Sequence, residues 1–128
     1  LNIAEWTLSE SNIDLMILCL GANDMLRGIN PKETKNNLEE IVKIAKKKNI
    51  KVIIAGMIAP TSYGSGYKKS FDKIFYDLSK KYKLQLIPFL LEGVAQKPKF
   101  NLSDGMHPND QGTIIIGNTL KKAILENL

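Results

Sequence analysis

The chain has 128 residues, 44% hydrophobic and 24% charged, a balance that excludes a disordered or fibrous protein and fits one globular core. Its formal charge of +5 arises from 18 Lys and Arg against 13 Asp and Glu, but Arg27 is the sole arginine and no aromatic platform accompanies the lysines, which argues against a nucleic-acid partner. No apolar run approaches the roughly 18 residues that span a bilayer, so no transmembrane segment is expected, and a single cysteine excludes an intramolecular disulfide.

The chain opens on an amphipathic segment (Leu1, Ile3, Ala4, Leu8) with neither a starting methionine nor a charged and apolar leader, which reads as a cut end. Ile13 to Leu20 is an almost unbroken apolar run closed by Gly21, the pattern of a central strand buried on both faces of a parallel sheet, with Cys19 as a small buried hydrophobe inside it. From Asn30 the text turns helical. Asn30 can cap, Pro31 suits the first helical position and Glu33 can return a bond to the cap. Leu38, Ile41, Val42 and Ala45 then recur at three- and four-residue spacing, and Lys46 to Lys48 oppose the negative end of the helix dipole.

Lys51 to Met57 is a second buried strand, followed by the breaker-rich loop Ala59 to Gly66. Tyr67 to Tyr82 carries Phe71, Ile74, Phe75 and Leu78 on one side and reads as a second helix. Leu84 to Pro88 is a third, shorter strand, and Leu90 to Leu102 an irregular or short helical connection. Asn109 or Asp110 caps a last helix through Leu125. The alternation of strands and helices gives a doubly wound α/β fold with a parallel sheet. Three strands alone would leave a long apolar edge unprotected, so at least one further strand-helix unit is expected before residue 1.

Two loops carry candidate chemistry. Asp104 and His107, the chain's one histidine, stand three positions apart beside Gly105 and Pro108. That spacing is most often a turn and a helix cap, but it also lets a carboxylate fix an imidazole tautomer so that the other ring nitrogen faces a nucleophile. Gly21-Ala22-Asn23-Asp24 follows the first strand and so lies at the carboxyl end of the sheet, where open α/β folds bind ligands. Asn23 and Asp24 can simply form a turn; an Asn amide there can also donate to an oxyanion. One histidine cannot build a usual catalytic zinc site, and no glycine-rich phosphate loop opens any helix, so neither metal nor cofactor is expected.

Taken together, Leu20-Gly21-Ala22-Asn23-Asp24 resembles the third block (GxND) of the SGNH, or GDSL-like, hydrolases, and Asp104-Gly105-Met106-His107-Pro108-Asn109 resembles their fifth block (DxxHPN). Ala59 to Gly64 with Tyr67, and Leu86 to Leu91, are similar to the bacterial acyl-CoA thioesterase, lysophospholipase and arylesterase branch. The resemblance runs over essentially the whole chain. It implies a three-layer α/β/α, flavodoxin-like sheet present as a C-terminal portion over residues 1–128, and a cofactor-free serine ester hydrolase acting on small acyl esters, thioesters or lysophospholipids. His107 would be general base and then acid, Asp104 its orienting carboxylate and Asn23 the oxyanion donor. Gly21 would allow the tight turn, and Ser62, Tyr63 and Gly64 would border the acyl chain. The family's nucleophile belongs to a first, GDS-like block and a further oxyanion glycine to a second. Neither is present, and no serine here, Ser62 and Ser103 included, lies in a GDS or GxSxG setting. The 128-residue chain alone is therefore expected to be inactive. The alternative is a binding or interaction module that has lost the serine. A flavodoxin-like nucleotide or response-regulator domain would need a phosphate loop or an acidic acceptor cluster, and neither is present. Many relatives are exported, so a periplasmic or secreted location is expected if a signal peptide precedes the chain, and a cytoplasmic one otherwise.

Overall fold

A computed structural model describes residues 2–127, the side chain of Asn2 excepted. Leu1, on which the reading of a cut end rests, lies outside the described residues. The fold divides into two compact units, Leu1–Pro88 and Phe89–Leu128.

The first unit runs α1 (Asn2–Thr7), β1 (Leu15–Leu18), α2 (Ala22–Leu26), α3 (Pro31–Lys47), β2 (Lys51–Ala55), α4 (Ser65–Tyr82) and β3 (Gln85–Ile87). The three strands are parallel in the order β1-β2-β3, with Leu15 opposite Lys51 and Ile53 opposite Gln85. The parallel α/β class expected from the sequence is the class observed. Its central strand is β2, in which Val52 to Ala55 are all buried; Val52 and Ile54 join the core beneath α3 and α4. The periodic residues named above fill that core: Leu38, Ile41, Val42 and Ala45 from α3, and Phe71, Ile74, Phe75 and Leu78 from α4. Each of the larger of these side chains removed from water contributes on the order of 2 kcal/mol, and the Ala45 methyl less.

The first strand departs from expectation. Among the described residues β1 pairs with β2 alone, three of its four residues are only half-buried, and the paired stretch, Leu15–Leu18, is shorter than the apolar run Ile13 to Leu20. Cys19, expected inside, is exposed because the ladder ends at Leu18. Along β1 lies an apolar groove of about 610 Å³, walled by Ile3, Ala4 and Leu8 on one side and by Ile13, Leu15 and Ile17 on the other. The helix starting after Asn30 forms as predicted, with the Asn30 side chain accepting from the Lys32 amide at 3.0 Å. Glu33 makes no return bond through its side chain; its backbone amide instead donates to the Asn30 carbonyl at 2.9 Å. α4 starts two residues before its predicted position, and a short helix, α2, occupies the stretch after Gly21 for which no helix is expected from the sequence.

The second unit holds turns over 90–96, a short 3-10 turn at Pro98–Phe100 and α5 (Asp110–Leu125). Asn109, one of the two candidate caps, is the cap used: its side chain accepts from the Gly112 amide at 3.0 Å. The side-chain Nδ2 of Asn109 also donates to the Lys99 carbonyl at 2.8 Å, so one residue ties the start of α5 to the 3-10 turn. Gly112 makes this close approach possible, because a Cβ there would stand 2.2 Å from the Phe100 carbonyl oxygen. Backbone cannot swing aside as a side chain can. Gly112→Ala is expected to destabilise the second unit by about 2–3 kcal/mol, seen as a lower urea midpoint at unchanged m-value.

Candidate active site

The loop between the 3-10 turn and α5 positions Asp104 and His107. Asn101 bridges Pro108 in antiparallel fashion, the Leu102 amide donates to the His107 carbonyl at 2.7 Å, and the Gly105 amide donates to the Leu102 carbonyl at 2.9 Å. Within this closed turn Asp104 Oδ1 accepts from the backbone amides of Met106 at 2.8 Å and His107 at 3.0 Å. Asp104 Oδ2 lies 2.5 Å from His107 Nδ1. The backbone amide of His107, then its ring, then the amide of Met106 hold the Asp104 carboxyl down to about 2. At neutral pH that carboxylate is ionised and only accepts, so Nδ1 must carry the proton, and in the neutral ring Nε2 is left as a free acceptor. Both side chains are exposed, so water screens the pair.

The lowered value has a definite pH consequence. A carboxyl whose folded value lies below its ordinary value stabilises the loop fully above the ordinary value of 3.8, and that contribution disappears as pH falls toward about 2. The stability difference between the native chain and Asp104→Asn is thus expected to be constant above about pH 5 and to shrink between pH 4 and 2. Denaturant titrations across that range would show it.

The first unit presents the other residues. Gly21 has a φ of 112°, in the left-handed region, and turns the chain from β1 into α2, where Asn23 is exposed. The Asn23 amide makes no hydrogen bond among the described residues and is free to donate. A cleft of about 320 Å³ is lined by Cys19 to Asp24 and by Thr34, Asn37, Leu38 and Ile41. Ser62 and Tyr63 lie on a 3-10 turn, Thr61–Tyr63, with Gly64 directly after it, and all three are exposed. Tyr63 Oη reaches the Leu26 carbonyl at 3.4 Å and Tyr67 Oη donates to the Ile29 carbonyl at 2.9 Å, which ties the loop after β2 to the loop after β1.

Sequence reasoning missed the anchors of these loops. Ala59 is buried, and α4 satisfies both of its backbone groups. Asp72 Oδ1 accepts from its amide at 2.7 Å, and Lys68 Nζ donates to its carbonyl at 2.9 Å while pairing with Asp72 at 2.6 Å. The four-residue spacing of Lys68 and Asp72 was the available signal. Thr34 was missed as well, although it shares the apolar face of α3 with Leu38, Ile41 and Ala45, an unusual place for a hydroxyl.

Comparison with known proteins gives a consistent answer. A family model described as the GDSL-like Lipase/Acylhydrolase family matches residues 3–113. An arylesterase of Vibrio mimicus is 32% identical over 94% of this chain and 60% of its own length. Thioesterase 1/protease 1/lysophospholipase L1 of Escherichia coli K12 is 33% identical over 82% of this chain and 50% of its own length. The solved structure of TesA covers 99% of this chain and 71% of that protein, with a TM-score of 0.92 at 28% identity. The chain spans about half to three-fifths of the length of these curated relatives.

Proposed function

Since the chain belongs to the GDSL-like Lipase/Acylhydrolase family, we propose that it supplies the base, the orienting carboxylate and the oxyanion donor of a serine ester hydrolase whose nucleophilic serine lies upstream of residue 1. The observation that carries this reading is the 2.5 Å contact of His107 Nδ1 with Asp104 Oδ2, which leaves Nε2 as an acceptor. In the reaction, Nε2 takes the serine hydroxyl proton while the serine oxygen bonds to the acyl carbon. The carbonyl electrons move onto its oxygen, where the Asn23 amide donates a hydrogen bond. Collapse of this intermediate breaks the bond to the alcohol or thiol, which leaves with the proton from the imidazolium. Water then repeats the sequence on the acyl-enzyme, returning the acid and the free serine.

The substrate is a small acyl ester, a thioester or a lysophospholipid, a reading supported by the relatives named arylesterase and thioesterase 1/protease 1/lysophospholipase L1. Ser62, Tyr63 and Gly64 border the acyl chain. One flank of β1 pairs with no strand among the described residues, and this flank with its apolar groove supports placing the serine-bearing strand-helix unit beside it.

Hydrolysis of p-nitrophenyl acetate by the 128-residue chain and by a chain extended upstream through a GDS-like segment tests the proposal. No turnover is expected from the short chain and ready turnover from the long one. Turnover by the short chain that vanishes in His107→Ala would place the nucleophile among residues 1–128 instead. An extended chain inert toward aryl esters, thioesters and lysophospholipids would favour a binding module.

A further inference from the structure

α2, which carries Asn23, has little stability of its own. It is five residues long, begins at Gly21 without a side-chain cap, and is too short for its own hydrogen bonds to sustain it. Met25 fixes its depth by lying in the core. Its last residue, Leu26, is held weakly through its carbonyl by Tyr63 Oη at 3.4 Å, and its Asp24 by a side chain of α3. Thr34 is 1% exposed, its hydroxyl donates to Asp24 Oδ2 at 2.9 Å, and its Cγ2 would lie 3.7 Å from a Cβ placed on Gly21. Thr34 thus bonds Asp24 and lines the same cleft as Gly21, close enough that a side chain at Gly21 would meet its methyl group.

Packing alone does not account for a threonine here. Valine fills nearly the same volume without a hydroxyl that must be satisfied, and a buried hydroxyl left without a partner is costly. α3 is itself fixed at this end by the Asn30 cap and by Tyr67, whose hydroxyl holds the Ile29 carbonyl. The Thr34 hydroxyl therefore stands on a rigid support and serves Asp24.

We propose that Thr34 is a positioning residue: through Asp24 and the Gly21 turn it holds α2 so that the Asn23 amide is aligned before substrate arrives. This rests on the reading of Asn23 as the oxyanion donor. A donor fixed in advance stabilises the developing charge without reorganising, so loosening it lowers kcat and leaves ground-state binding alone.

Thr34→Val, Thr34→Ser and Asp24→Ala test the idea with two readouts. In the 128-residue chain, the amides of Met25 and Arg27, which close α2 onto the Gly21 and Asn23 carbonyls, report its opening by hydrogen exchange. Exchange at both is expected to rise at least about tenfold in Thr34→Val and Asp24→Ala, to return in Thr34→Ser, and to stay constant in β2. In the extended protein, kcat for p-nitrophenyl acetate is expected to fall about tenfold at unchanged KM and to recover in Thr34→Ser. Unaltered α2 exchange in Thr34→Val and Asp24→Ala overturns the proposal, as does faster exchange with kcat intact. Should Thr34→Val not fold, Asp24→Ala carries the same comparison. An Asn23→Ala variant with undiminished kcat would instead remove the oxyanion reading, leaving the exchange data to decide the structural role of Thr34.

Discussion

Replacing His107 by alanine in the extended protein is expected to lower kcat for p-nitrophenyl acetate by about 10⁶-fold, the scale seen when a triad's proton acceptor is lost. The reason lies in the tautomer. Asp104, ionised and bound to two backbone amides besides the ring, accepts a hydrogen bond from Nδ1–H, so Nε2 is the basic site available to a serine hydroxyl. Without it the serine attacks as a neutral alcohol. About 10⁶-fold corresponds to roughly 8 kcal/mol of transition-state stabilisation. The loop should survive the change, because the Leu102 amide bonds to the backbone carbonyl of residue 107 and Asp104 keeps its bonds to the amides of residues 106 and 107. Urea midpoints should accordingly move far less than rates. A Tm that collapses with activity would mean that His107 acts through structure.

Asn23→Ala is the second large effect, expected at about 10²- to 10³-fold in kcat, or roughly 3–4 kcal/mol, with KM nearly unchanged. Asn23 is exposed and its amide has no partner among the described residues, so its removal costs the resting fold little. A donor that bonds only to the developing oxyanion affects the transition state alone. Equal losses in kcat and kcat/KM are the expected signature, and a rise in KM at constant kcat would assign Asn23 to ground-state binding.

The features legible in the sequence are those set by local pattern. The α3 and α4 periodicities found the core residues, because a helix buries every third or fourth position whatever packs against it. Asn109 was legible as one of two candidate caps, and Asp104 with His107 as a possible pair, since three residues of a closed turn suffice to make each contact. Features set by distant partners were not legible. β1 has the apolar text of a central strand, but its rank in the sheet depends on strands elsewhere in sequence. Cys19 follows the same logic: its apolar neighbours suggested burial, while the end of the ladder at Leu18 left it outside. α2 escaped notice because Gly-Ala-Asn-Asp is a turn by propensity and becomes helical through Met25 burial and a hydroxyl ten residues away. The clamp on Ala59 likewise joins residues nine and thirteen positions apart.

The most direct test of the base and of the nucleophile's location is labelling of the extended protein with a fluorophosphonate, followed by mass spectrometry of the modified peptide. The predicted adduct is on a serine upstream of residue 1, formed at a rate that falls by orders of magnitude in His107→Ala. An adduct on Ser62 or Ser103, or a labelling rate indifferent to His107, would contradict the account.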